Sequence, residues 1–187
     1  MIVRRFSQHE SLDGRGGLIA SARWHTRGHE ILYCAPNPAT ALLEILVHSQ
    51  VREPAALSRH RFIKIEVPDE IARQEVSEAQ LPPDWSRRMA VTRARGDRWL
   101  REGHGALLLV RSALVPETYN VLINPRHADA SQIQRVSVFP YPLDSRLVTR
   151  NLEIVALRAH KPPSRHHQSR EIRAVIDRRT LRITACM

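Results

Sequence analysis

Aromatic residues are scarce in this chain, with three each of Phe, Trp and Tyr in 187 residues. A packed core must therefore come mainly from Leu, Ile, Val and Ala. The interleaved aromatic and basic surface of a single-strand-binding module also has too few rings to be built. Lysine is nearly missing, since Lys64 and Lys161 stand against 27 arginines. Two distant cysteines, Cys34 and Cys186, form neither a disulfide framework nor a metal-ligand spacing. No apolar run approaches the roughly 18 residues of a membrane span. No apolar leader segment follows Met1 either, so a soluble, reduced, cytoplasmic protein without membrane contact is expected. There is no G-x-G-x-x-G with an acidic residue some 20 positions on, which argues against a doubly wound dinucleotide fold.

What is present is charge and a normal apolar content. The formal charge is +10 and the hydrophobic share is 42%. At this length one main domain can bury about 70% of its unfolded surface. The charge is uneven, because residues 151–187 hold eight basic and three acidic side chains, net +5. A solvated surplus concentrated in that tail explains the balance better than a phosphate-binding surface, and no direct nucleic-acid contact is expected.

Residues 2–6 form a short apolar and basic segment, followed by a bend at Gly14, Gly16 and Gly17. Residues 18–25 and 30–35 read as two strands joined by a turn at 26–29. Asn37 then predicts an N-cap and Pro38 a first helical residue, with the helix continuing to about residue 49. Ala41, Leu42, Ile45 and Leu46 share one apolar arc, and Glu44 lies on its flank. Residues 61–67 alternate as a half-buried strand, and residues 69–86 read as loop and short helical turns. A helix is expected over 88–102, weakened at Gly96 and ended by Gly103. The apolar run 106–110 is expected as a central strand, with further strands at 118–123 and 134–139. Strands with irregularly interspersed helices give an α+β class with a mixed, largely antiparallel sheet. The division expected is a domain over 1–150 and a basic extension over 151–187, the latter with a linker-like stretch at 162–167.

Three segments bring chemistry-bearing residues next to apolar neighbours that fix them. Arg23 offers a guanidinium that can clamp a diphosphate bidentately. Tyr33 offers an aromatic face for a nicotinamide or adenine ring, or a hydroxyl for a ribose. Glu44 offers a carboxylate that can stabilise the positive charge on a sugar as a glycosyl bond breaks. A second cluster runs from Arg111 and Ser112 through Asn120 to Asn124-Pro125-Arg126-His127. Ser112 follows an apolar strand, and Asn124 is held extended by the following proline. Alone, each of these is more often an ordinary surface or core residue. Ser112 lacks a Gly-x-Ser-x-Gly elbow, so a hydrolase triad is not expected. His25 and His29 have no third ligand at a suitable spacing, and no metal site is expected.

Taken together, these segments resemble the RES domain, the toxin half of a bacterial toxin–antitoxin class. The resemblance runs from about residue 2 to 148 and includes Arg5, the glycine bend, Arg23-Trp24-His25, Leu32-Tyr33 and Ala41-Leu42-Leu43-Glu44. It continues through Gly96-Asp97-Arg98-Trp99-Leu100, the Leu-rich strand into Ser112, and Asn120 to His127. It departs at Arg111, where such sequences usually carry proline, and it does not extend to the tail. The resemblance implies a fold similar to that of ADP-ribosyltransferases and an enzyme consuming NAD+ as substrate, without a metal. It implies transfer of ADP-ribose to water, phosphate or a protein acceptor, a cognate Xre-type helix-turn-helix antitoxin, and a homodimer. It further implies Glu44, Arg23 and Tyr33 as catalytic residues, with Arg23, Tyr33, Ser112 and Asn124 binding the dinucleotide. Two alternatives stand beside it. One is a basic, metal-independent ribonuclease using His25, His104 or His127, and the other a non-enzymatic nucleic-acid-binding module.

Overall fold

A computed structural model describes residues 1–48 and 57–140, together with 144 and 147. The element order is β1 (Ile2–Ser7), α1 (Gly16–Ile19), β2 (Leu32–Cys34), α2 (Pro38–His48), β3 (Arg61–Glu66), β4 (Arg73–Val76), α3 (Met89–Glu102), β5 (Leu107–Arg111), β6 (Tyr119–Ile123) and β7 (Gln134–Pro140). Short 3-10 turns occur at Glu78–Gln80, Trp85–Arg87 and Ala128–Gln132. The strands form two sheets, ordered β1-β3-β7 and β2-β6-β5-β4. Among the described strands, only the β4–β5 pairing is parallel. An isolated bridge between Arg4 and Ala35 ties the sheets together at β1 and β2. The α+β class with a largely antiparallel core, expected from the sequence, is the one observed.

Alternation along the strands explains how both faces of the second sheet are buried. Leu107, Val121 and Ile123 join Val3, Ile63 and Ile65 in a core between the sheets. The intervening Leu108, Val110 and Leu122 face the opposite way and pack with Trp24, Trp85 and Trp99. A third cluster of Phe6, Phe62, Ala41 and Leu42 seats α2 on the first sheet. The run 106–110 is therefore apolar throughout because β5 lies between β6 and β4 and is covered on both faces.

Local signals hold at the helix ends. Asn37 Oδ1 accepts the Thr40 N–H at 2.9 Å, which satisfies an orphan donor of the first turn of α2. Gly103 ends α3 in the left-handed region with φ 62°, and its N–H donates to the Trp99 carbonyl at 3.0 Å.

Two expectations are corrected. Residues 18–25 are not a strand, for Gly16–Ile19 form a single helical turn and Ala22 to His25 close a tight turn. The apolar Leu18 and Ile19 suggested a strand, yet they are 41% and 77% exposed. Packing at Gly17 decides the matter, because a Cβ there would collide with the His29 carbonyl and press on Ile31 and His25. Residues 73–76, read as loop, form β4. Arg73, Gln74 and Glu75 carry no apolar pattern, since this strand joins the sheet through its backbone pairing to β5 and buries only Val76. The expected linker at 162–167 and the extension 151–187 lie outside the described residues.

Candidate active site

The Arg23 turn is held by a helix some 70 residues away in sequence. Four residues of α3 sharing one face, Thr92, Arg93, Gly96 and Asp97, clasp its backbone. Thr92 Oγ1 donates to the Arg23 carbonyl at 2.6 Å, and Arg93 Nε donates to the Ala22 carbonyl at 2.8 Å. The Asp97 carboxylate accepts from the Thr26 N–H at 2.8 Å and the Thr26 hydroxyl at 2.9 Å. Gly96 lies directly against the Trp24 carbonyl, where any Cβ would overlap the oxygen. The glycine that weakens the helix in sequence terms is thus what admits the turn. Trp24, 1% exposed, anchors the same turn in the core, and Arg23 Nη1 donates to the Ser86 carbonyl at 2.7 Å.

Tyr33 rises from β2 beside this turn. Its hydroxyl accepts the Trp24 N–H at 3.1 Å and lies 2.9 Å from His25 Nδ1. His25 Nε2 sits 3.0 Å from the Ala20 carbonyl, which can only accept, so Nε2 carries the ring proton. In the neutral ring Nδ1 is then an acceptor, and the Tyr33 hydroxyl donates to it. Burial holds the His25 pKa below its ordinary value and raises that of Tyr33, so both stay uncharged at neutral pH. The Tyr33 hydroxyl is thereby spent on the fold, and its ring remains for a ligand.

Glu44 faces this pair from α2. Its Oε1 accepts from Ser112 Oγ at 3.0 Å and from Asn120 Nδ2 at 2.7 Å. Ser112 Oγ also accepts the Leu114 and Val115 N–H groups, each at 3.2 Å. The end of β5 and the start of β6 therefore supply both donors. Oε1 thus has two donors, and Oε2 has no hydrogen-bond partner among the described residues.

Arg23, Tyr33 and Glu44 line one cavity of about 730 Å³, bordered by β1, β2, α2 and the Arg23 turn. Asn120, Ala113 and Leu114 border it too. So do Arg4 and Arg5, which leaves Glu44 as the lone carboxylate residue beside three arginines among the described lining residues. Arg5 Nη1 is bonded to the His9 and Ser11 carbonyls, at 3.2 and 3.0 Å. Such a wall suits an anionic ligand with several oxygen acceptors.

Ser112 reaches the site through its bond to Glu44 and does not itself border the cavity. Asn124 is placed apart. It lines a smaller pocket of about 240 Å³ with His29, Glu30 and Arg126, and its Oδ1 accepts the Arg126 N–H at 3.0 Å. Its extended setting before Pro125 closes β6 and does not turn the amide into the main cavity. Sequence reasoning gave Asn120 no role of its own, although an amide in the otherwise apolar stretch of β6 was a usable signal. Arg4 was also missed. No group of His, Cys, Asp and Glu fit to hold a metal occurs among the described residues. No described helix is long and apolar enough to cross a membrane. Cys34 is buried and its thiol is pushed up to about 12, which makes it unreactive.

Comparison with known proteins bears on the family and the fold. Toxin Res of Pseudomonas putida is 41% identical over 150 residues, covering 79% of this chain and 99% of that protein. Prs ADP-ribosylating toxin of a Sphingobium species is 38% identical over 149 residues, covering 77% and 91%. A chain from the crystal structure of the M. tuberculosis MbcT–MbcA toxin–antitoxin complex shares the fold with a TM-score of 0.57 at 15% identity, covering 81% of this chain and 88% of that one. The RES domain model matches residues 2–144, so the chain belongs to the RES domain family.

Proposed function

We propose that this protein is the toxin of a bacterial toxin–antitoxin pair and that it consumes NAD+ by breaking the nicotinamide–ribose bond. The observation that carries this reading is the meeting of Arg23, Tyr33 and Glu44 on one cavity, with one Glu44 oxygen fixed and the other without a hydrogen-bond partner among the described residues. The names of its relatives, two of them toxins and one an ADP-ribosylating toxin, point the same way.

Nicotinamide in NAD+ is already cationic and leaves as a neutral ring, taking the electron pair of the C–N bond. No general acid is required. What the protein must supply is a fixed dinucleotide, a negative charge beside the sugar carbon, and access for a nucleophile. Arg23 holds phosphate oxygens, the Tyr33 ring packs on the nicotinamide side, and Glu44 Oε2 stabilises the oxocarbenium-like sugar. Ser112 is a positioning residue for Glu44. The nucleophile is water, phosphate or a protein side chain, and all three share this cleavage step. The catalytic unit spans residues 1–150, with the basic extension 151–187 outside it. A cognate Xre-type antitoxin neutralises the toxin, which acts as a homodimer in the cytoplasm.

The ribonuclease alternative needs an acid–base pair from His25, His104 and His127. Of these only His25 borders the cavity, and both its ring nitrogens are engaged. Incubating the protein separately with RNA and with NAD+, then identifying products by mass spectrometry, tests the proposal. Nicotinamide release is expected, with the acceptor read from reactions with and without phosphate and cell lysate. RNA cleavage with intact NAD+ would overturn it.

A further inference from the structure

The amide of Asn120 has one end in use and one end idle. Nδ2 donates to Glu44 Oε1 at 2.7 Å, which fixes which end is which. Oδ1 is buried and has no hydrogen-bond partner among the described residues, although Asn120 is only 8% exposed and borders the cavity. A buried acceptor left unmet is a standing cost that native structures seldom carry without reason. The idle oxygen and the nitrogen that holds the candidate catalytic carboxylate share one carbon, Cγ. Oδ1 itself has no open surface, so a group that sits against Glu44 meets it after a small rotation about the soft terminal torsion of the amide side chain.

We infer that Asn120 is a specificity-determining residue, its Oδ1 accepting a hydroxyl of the ribose whose glycosyl bond is broken. This rests on the NAD+ reading of the same site. An acceptor selects for a donor, so the site demands a hydroxylated sugar and ranks a deoxyribosyl substrate lower. The donor that nicotinamide carries, its carboxamide NH2, sits at ring C3 away from the breaking N1–C1′ bond, and a phosphate oxygen at neutral pH is itself an acceptor. Of the groups NAD+ can bring beside Glu44, a ribose hydroxyl is the one that satisfies Oδ1. Asn120 thus couples two tasks, holding the carboxylate with its donor and reading the sugar with its acceptor.

The test compares kcat/KM for NAD+ with that for two analogues lacking the 2′- or the 3′-hydroxyl of the nicotinamide-side ribose. Each ratio is measured in the wild-type chain and in Asn120→Ala and Asn120→Asp. Intrinsic reactivity of the deoxy sugars cancels between proteins, and a smaller folded fraction cancels within each ratio. For one analogue, Asn120→Ala should shift the preference for the hydroxylated substrate by about tenfold, the worth of one buried hydrogen bond. Asn120→Asp keeps an acceptor and loses the donor to Glu44, so it should slow both substrates yet retain the preference. Ratios in Asn120→Ala equal to wild type for both analogues would overturn the inference while leaving NAD+ cleavage standing. A wild-type protein that cleaves no NAD+ would overturn both.

Discussion

The two walls of the cavity are held by opposite means. On the Arg23 wall the backbone is gripped and the side chain is nearly free. Thr92, Arg93, Gly96 and Asp97 fix the turn, while among the described residues the guanidinium makes one bond, to Ser86. On the Glu44 wall the backbone is an ordinary turn of α2 and the side chain is gripped, through two donors on one oxygen. A clamp for a flexible diphosphate gains from a long, adjustable cation on a fixed base. A carboxylate beside a short-lived cation must not move, because its effect depends on being in place before charge develops.

That contrast predicts different failures. Glu44→Gln should lower kcat by about a hundredfold or more with little change in KM, as for other groups that act mainly in the transition state. Arg23→Ala should instead raise KM by about tenfold or more, since it removes charge-assisted bonds made in both ground and transition states. Steady-state kinetics of nicotinamide release reads both, and equal effects on one parameter would erase the distinction between the walls.

Gly96→Ala tests whether α3 really sets the Arg23 turn. The new methyl must displace the Trp24 carbonyl, so a loss of about 1–3 kcal/mol in stability is expected, together with a raised KM. Thermal melts and kinetics on the folded fraction check it. A lowered melting temperature with unchanged KM would mean that the clasp serves stability alone.

Acid should loosen the same wall. An unfolded histidine takes its proton near 6.5, whereas burial holds folded His25 lower. Between those values the unfolded chain binds more protons, so stability is present above 6.5 and falls as pH drops through the window below it. His25→Gln should flatten that part of the stability curve, as measured by denaturant unfolding from pH 7 to pH 5.

The smallest effect is expected at Arg111, the position where this chain departs from the family's usual proline. Its guanidinium lies 3.7 Å from Glu78, and the two side chains are 38% and 74% exposed. Such a pair contributes little in water, so Arg111→Ala should change stability by less than about 0.5 kcal/mol. A large loss of activity there would place it in the cavity's electrostatics after all.

Local signals were readable where local physics decides. Asn37-Pro38 announced α2, Gly103 announced the end of α3, and the uninterrupted apolar run announced β5 as an interior strand. Residues 18–25 were misread because the deciding contact, Gly17 against the His29 carbonyl, involves no side-chain pattern. β4 was missed because its pairing with β5 uses backbone groups that every sequence possesses. Within the candidate site, Arg23, Tyr33, Glu44 and Ser112 were legible as residue types that suit a dinucleotide. Asn124 drew attention for its proline neighbour but serves the turn after β6.

By itself, then, the sequence determined the α+β class, the helix caps, the buried strands and a short set of candidate side chains for the proposed glycosyl chemistry. Each of these follows from properties of one residue and its near neighbours. The tertiary structure alone decided that Ser112 and Asn120 meet Glu44 across 68 and 76 residues, that α3 carries the Arg23 turn, and that Asn124 stands aside. Hydrogen bonds depend on distances in space, and chain separation leaves those open until the sheets and helices have packed.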